Sequence, residues 1–387
     1  TYVTDTNEDD IISIGEFNKS DNSKVIISSS ATAIYEGTDT LTDITPTGYT
    51  VGDGEFQHAT LNGKHYLFED GADPVVYDGT TAVKVEDHAD YSGTVPTGDT
   101  VISGFGRLWV GKGSVVYWSD LLTGMKWDTG SSGSIDVSKV WGDGSDVIVG
   151  LASHNGFLII FGSRQIIVYS GPEDPATMKL QDTVIGIGCV SRDSIQSIGT
   201  DLLFMSDSGL RSLGRTIQEK SSPLSDLSIN VRSDISAYMK GEQERIKAVY
   251  SPEEGFYLVH FPSSNISYCF DVRMRLENGA LRPTVWNSIN PQCMLRTDDG
   301  ELLIGKSEGI AEYTGYTDNG ETYAMNYFTN YNDFGAPSNL KLVKNIKMTV
   351  VGGSNTGVTL NWGYDFTYNY KKKRFTLPTQ LTAEFGV

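Results

Sequence analysis

The sequence predicts an all-β chain: a β-propeller of about seven irregular blades, with six to eight compatible with the spacing, followed by a smaller β-rich module. Three observations predict it. A phrase of short apolar strand, polar turn and second strand, ending near an aromatic and a Gly or Asp, recurs seven times. The copies are Lys24–Gly37, Lys64–Gly79, Arg107–Asp120, Phe157–Gly171, Asp201–Gly214, Phe256–Asp271 and Glu301–Gly315. With Tyr35, Tyr77, Tyr117, Tyr169, Leu213, Tyr268 and Tyr313 as equivalent points, the period is about 40–55 residues, the size of one four-stranded blade. The chain also carries 42 Gly, 20 Tyr and 15 Phe among 387 residues, a composition suited to many short strands joined by tight turns. After about residue 320 the phrase disappears, which sets the domains at 1–320 and 321–387.

The elements follow in order. In the first unit Ile12–Phe17, Lys24–Ser28, Ala31–Tyr35 and Leu41–Ile44 alternate as four strands. In the second, Gln57–Leu61, Lys64–Glu69, Pro74–Tyr77 and Ala82–Glu86 repeat the scheme, with Asn62-Gly63 as a hairpin turn. The third contains Thr100–Phe105, Arg107–Val110 and Ser114–Trp118. Blades bury both faces of their sheets, which accounts for the unbroken apolar runs Phe157–Phe161 and Ile166–Tyr169. Between the fifth and sixth units, Ser222-Pro223 precedes Leu224–Lys240, where Leu227, Val231, Ile235 and Met239 form a helical stripe that Gly241 would stop. This insertion is expected to pack on the rim or underside of the array and is a candidate docking helix. In the last module, Asn345–Gly352 and Val358–Tyr364 read as two strands around a Gly352–Gly357 turn, with a further strand, Arg374–Leu377, after the basic run Lys371–Arg374.

The charge balance constrains partners. A formal net charge of −19 repels phosphate backbones and anionic lipid, so DNA fits better as a passenger past acidic walls than as a gripped ligand. Three cysteines without C-x-x-C spacing give no disulfide framework or zinc site. The longest apolar runs have strand length, so no membrane anchor is expected. The chain starts at Thr1 without Met and without a signal-peptide pattern, which leaves its targeting unread and is compatible with residues preceding it.

No catalytic signature is present: no G-x-S-x-G elbow, H-E-x-x-H, P-loop or Rossmann fingerprint. The expectation is a protein that is not an enzyme and needs no cofactor. His65 and His260 fall inside strand patterns as structural histidines, and His154-Asn155-Gly156 reads as a turn. Asp5, Asn7, Asp9, Ile12 and Glu16 match the ligand spacing of an EF-hand loop. Asp10, however, stands where that loop's sharp turn requires Gly, and an acidic turn before a strand explains the pattern better. Lys371, Lys372, Lys373 and Arg374 form the one basic cluster of an acidic chain. They are either a solvated hairpin tip or a candidate subunit interface against an acidic face of another copy.

Three stretches carry a family resemblance. Asp201–Ile235, Ile11–Ile44 and Tyr331–Gly353, scattered over most of the chain and in the right order, resemble segments of the tail nozzle (tail hub, packaged-DNA stabilisation) proteins of short-tailed bacteriophages. The resemblance implies a structural protein of the virion tail, assembled as a hexamer, with the propeller outside a tube and the second module in its wall. It implies docking to portal and adaptor proteins, contact with tail fibre or tip proteins, retention of the packaged genome and its conduction during ejection. Two features depart from that pattern: the segment such proteins carry before the first blade is not visible, and regions that would close the tube tip are short. A propeller binding host glycan or docking tail fibres is the alternative, with aromatic-rich Tyr117–Trp127 as a stacking loop; an exo-acting hydrolase stands third.

Overall fold

Each copy of the recurring phrase folds as the second and third strands of a small antiparallel sheet, because these strands are apolar on both faces and need packing on each side. In the computed structural model, which describes all residues except 1, 5–9, 143, 220–225, 242–244, 308, 316, 318–322, 330, 337, 352–356, 365–369, 377–381 and 387, the chain divides into two units, Thr1–Glu321 and Thr322–Val387.

The first unit is a seven-bladed β-propeller. The first blade comprises Ser13–Asn18, Lys24–Ser29, Ile34–Glu36 and Thr42–Asp43, and the second Gln57–Leu61, Lys64–Phe68, Val75–Tyr77 and Ala82–Lys84. Asn62 and Gly63, at φ of 48° and 70°, make the tight turn that the right-handed strand twist favours. The third and fourth blades begin at Thr100–Gly104 and Ile148–His154, and the sixth at Lys247–Ser251. The innermost strands neighbour one another around a closed circle.

The circle closes through the chain's beginning. Tyr2–Thr4 pairs antiparallel with Gly309–Glu312, Val3 opposite Ile310, and becomes the outermost strand of the seventh blade. The rest of that blade, Leu302–Lys306 and Cys293–Arg296, comes from the end of the propeller sequence.

The fifth blade is irregular. It has three strands, Gln196–Ser197, Leu202–Ser206 and Gly209–Ser212, and the helix Leu213–Glu219 follows directly. Leu213 and Ile217 of this helix pack with Phe161, Val184 and Phe204. The sequence pattern did not reveal it.

The predicted Leu224–Lys240 helix is shorter than expected. A single 3-10 turn, Ile229–Val231, leads into an α-helix over Arg232–Tyr238; Leu224 and Ser222-Pro223 lie outside the described residues. The cause is competition for backbone groups. The N–H of Leu227 donates to the Leu210 carbonyl and its own carbonyl accepts from Leu281, while the Asp226 carboxylate takes the Ser228 N–H. Leu227 therefore bridges the fifth and sixth blades in a turn, and its carbonyl is not free for a helical bond.

The second unit also departs from the sequence reading. Lys347–Val351 pairs with Thr382–Gly386, and Gly357–Trp362 with Lys371–Thr376, so the expected hairpin between the first and third of these strands is not formed among the described residues. The linker between them, residues 352–356, lies outside the described residues, and each strand takes a partner later in the chain. The basic run lies inside a strand rather than ahead of it.

Removing residues 1–4 tests the closure. It strips the outer edge from Gly309–Glu312, and losing two or three ladder bonds should cost about 2–3 kcal/mol. Hydrogen exchange at Ile310 and Ala311 should rise with the fall in melting temperature; unchanged protection there would show that the ring closes without this strand.

Candidate functional site

The axis is where seven inner strands converge, and its residues come from segments far apart in the sequence. Near the first two blades a hydrogen-bond chain crosses from one inner strand to the next. The Ser29 hydroxyl donates to the Gly54 carbonyl at 2.7 Å, so its oxygen accepts the Ser13 proton at 2.5 Å. Ser13 then accepts from His58 Nε2 at 2.9 Å. His58 Nδ1 accepts from His65 Nε2 at 2.9 Å, and His65 Nδ1 accepts from the Thr60 hydroxyl at 3.0 Å. With one end fixed by a carbonyl and both imidazoles held neutral by the depressed pKa values below, the direction of every proton follows, with hydrogen on each Nε2. Burial drives the His58 pKa down to about 3, with Arg192 adding to the effect, and burial followed by the His58 neighbour holds His65 well below its ordinary value. Gly15 faces the His58 ring with no room for a side chain: a Cβ there would stand 2.5 Å from the imidazole Cγ.

A charged girdle stands beside this chain. Arg192 and Asp193 lie on the 3-10 turn Arg192–Ser194. The Arg192 guanidinium donates to the carbonyls of Glu55, at 2.6 Å, and Asp99, and lies 3.4 Å from the Asp99 carboxylate. Lys247 Nζ donates to Asp193 at 2.7 Å and is 3.9 Å from Glu55. Burial alone would raise the Asp193 pKa, but Lys247 and Arg192 outweigh it and hold the carboxyl below its ordinary value. Burial would likewise lower Lys247, yet Asp193 and Glu55 keep it above its ordinary value. The second, third, fifth and sixth blades, or the segments leading into them, are thus tied together at the centre. A cavity of about 440 Å³ opens here, with Glu16, Asn18, His58, Asp193, Arg296 and Asp298 in its wall.

The axial imidazoles each have both ring nitrogens engaged, and the three cysteines are buried thiols whose pKa values burial pushes up. His260 is buried and bonded to Ser267 at 2.8 Å. Asn155 and Gly156, both at positive φ, turn the chain after His154. No metal-holding group of three or more His, Cys, Asp or Glu occurs among the described residues. Asp5, Asn7 and Asp9 of the EF-hand-like spacing lie outside them, and Glu16 instead accepts the Asp298 N–H at 2.6 Å. No helix among the described residues is long and apolar enough to cross a membrane.

The residues singled out in the sequence occupy different settings. Leu227, Ile235 and Met239 are buried, and with half-buried Val231 they pack on Met205, Leu210, Tyr257 and Phe261, filling the space between the fifth and sixth blades. Trp118 and Trp127 of the aromatic-rich loop are also blade core. In the second unit, Lys371, Lys372, Lys373 and Arg374 are all exposed. The same unit exposes a run of large apolar side chains on irregular backbone. Met325, Phe328 and Leu342 are 83%, 88% and 81% accessible, and Tyr323, Tyr327, Tyr331, Phe334, Leu340 and Val343 accompany them. Sequence reasoning missed Arg192, Asp193 and Lys247. Alignment of the inner strands would have placed Lys247 at the start of one, but nothing local marks the pair on the turn.

The class defined by these observations is a seven-bladed β-propeller with an internally bonded axis. No family model matches the chain, and no curated protein does. Among solved structures, two of the extracellular domain of BT4673 from B. thetaiotaomicron are similar to it. They have TM-scores of 0.54 and 0.51 and identities of 11% and 12%, and each match covers 82% of this chain and 40% of the other. The WD40 propeller domain of Doa1 has a TM-score of 0.46 at 11% identity, over 79% of this chain and 92% of that domain. The chain thus spans well under half the length of the first two structures, and at these identities the likeness is one of fold.

The two axial imidazoles, His65 buried and His58 half-buried, set a pH dependence. Their folded pKa values lie below the unfolded value near 6.5, so their contribution is complete above about pH 6.5 and is lost as pH falls toward about 3, at up to about 1.4 kcal/mol per pH unit for each proton taken up. Denaturant titrations between pH 6.5 and 5, above most carboxylate titrations, should show the slope, and the His58→Gln/His65→Gln chain should show a flatter one. Equal slopes would mean that the pair is not buried neutral.

Proposed function

We propose that this chain is a structural subunit of a bacteriophage tail nozzle, whose copies form a ring below the portal and adaptor, retain packaged DNA and conduct it during ejection. The observation that carries the reading is the second unit. Among its described residues there are two two-stranded sheets, each marginal in water by itself, and a run of exposed aromatic and aliphatic residues. Each such side chain left in water forgoes on the order of 2 kcal/mol of burial, which neighbouring copies would recover. The resemblance supports the reading at corresponding places: Ile11–Ile44 spans the first blade, and Tyr331–Gly353 includes part of the exposed apolar run. The acidic surface lets a phosphate backbone slide past without being gripped. Function on this reading lies in assembly and channel geometry, at the virion tail, with portal, adaptor and tail fibre or tip proteins as partners.

The axial cavity favours a second reading, a propeller that recognises host glycan or docks tail fibres. Its wall mixes carboxylates, an amide and a guanidinium, groups that can hydrogen-bond hydroxyls.

Mass photometry with negative-stain imaging across a range of concentrations tests the first reading. A ring of about six copies around an axial hole is expected, a closed cyclic assembly. Monomers at every concentration and in the presence of a portal–adaptor complex would overturn it, and glycan-array binding by such monomers would support the second.

A further inference from the structure

The Gly357–Trp362/Lys371–Thr376 ribbon has one face that is apolar and cationic together. Its register sets Trp362 opposite Lys371, Leu360 opposite Lys373 and Val358 opposite Phe375, so these six side chains share a face. The four apolar ones are half-buried, and both lysines are exposed. Lys373 Nζ lies 5.1 Å from the Phe375 ring centroid. None of Lys371, Lys372, Lys373 and Arg374 forms an ion pair among the described residues, although each belongs to a chain of net charge −19. A lone two-stranded ribbon is marginal in water, and this face calls for a cover that is both aromatic and acidic.

The propeller carries such a surface between its sixth and seventh blades. A cleft of about 210 Å³ is lined by Glu253, Glu254, Glu301, Leu302, Glu312 and Tyr313. Tyr313 is 41% exposed and stacks on Trp286, with ring centroids 5.7 Å apart and planes at 11°, and Phe256 meets both rings edge-on. Arg296 engages Glu253 at 2.6 Å, and Lys24 engages the adjoining Asp299 at 2.8 Å. Glu254, Glu301 and Glu312 have no ion-pair partner among the described residues. The cleft therefore has the aromatic floor and the unpaired negative charge that the ribbon face lacks.

We infer that the Glu254/Glu301/Glu312 cleft of one copy receives the Lys371/Lys373/Phe375 face of the ribbon of a second copy. This inference rests on the assembly reading above and names the surfaces through which copies join. The lysines meet the three carboxylates, while Phe375 and Trp362 cover Tyr313. Like-charge repulsion between the acidic propellers is thereby offset at the contact.

The experiment uses the full chain, prepared as an equal mixture of ¹⁴N- and ¹⁵N-labelled protein under assembling conditions. Zero-length carbodiimide coupling, which joins a lysine amine to a carboxylate in contact, is followed by peptide mass spectrometry. Mixed-isotope links from Lys371 or Lys373 to Glu254, Glu301 or Glu312 are expected. Lys371→Glu/Lys373→Glu should raise the concentration for half-assembly at least tenfold. Adding Glu301→Lys/Glu312→Lys to the same chain should recover most of it, which also shows that the first variant folds. Assembly by wild type that is indifferent to the lysine variant, or links of one isotope only, would overturn this contact and leave the assembly reading standing. Failure of wild type to assemble, alone or with a portal–adaptor complex, would remove both.

Discussion

A blade is a sheet that is apolar on both faces, and such a sheet is stable only between two others. Every blade of this propeller therefore depends on the circle being complete, since an open array would present two bare faces of the kind that Phe157–Gly162 and Gln165–Ser170 bury. The pairing of Tyr2–Thr4 with Gly309–Glu312 meets that requirement by making one blade from both ends of the propeller sequence. The outermost strand of the seventh blade thus comes from Tyr2–Thr4, while the inner strands Ser13–Asn18 and Cys293–Arg296 meet at the seam. Long-range pairing of this kind is entropically costly and slow to form, which makes the local hairpins of the middle strands the natural early structures.

Closure brings the inner strands together around a cavity of about 440 Å³ whose wall is largely polar. The chain answers with small residues and complete pairing. Gly15 leaves space for His58, serines and a threonine carry the hydrogen bonds onward, and Arg192, Asp193, Lys247 and Glu55 balance one another's charge. A buried ion pair contributes little net stability against an apolar replacement, but losing one partner is costly. The axial girdle ties together the segments that carry Glu55, Asp99, Arg192 and Lys247, across blades that pack largely through Val, Ile and Leu faces.

How much of this was legible in the sequence follows from the same physics. The seven phrases map onto the second and third strands of all seven blades, because those strands carry unbroken apolar runs flanked by turn residues. Gln57–Leu61 was legible to the residue, since the Asn62-Gly63 turn fixes where its hairpin reverses. The Leu227–Met239 stripe was correctly seen as apolar, but the backbone bonds of Leu227 to two blades kept its first part out of a helix, and that competition is invisible in a local pattern. The strand partners of the second unit were equally hidden, because alternation tells which face a residue takes and not which strand it meets. The axial charges were illegible for a further reason: Asp99, Arg192 and Lys247 become neighbours only when the ring closes.

The contrast between the two units bears most directly on function. In the propeller, most large aromatic residues are buried and the axial imidazoles and charges have partners within the chain. In the second unit, aromatic and aliphatic side chains on irregular backbone face outward, and four consecutive cations have no ion pair among the described residues. A surface of that composition is poorly suited to water, and its defects are of two kinds, missing apolar cover and missing negative charge. A second copy of an acidic chain can supply both at once, and that match of needs supports the proposed assembly reading.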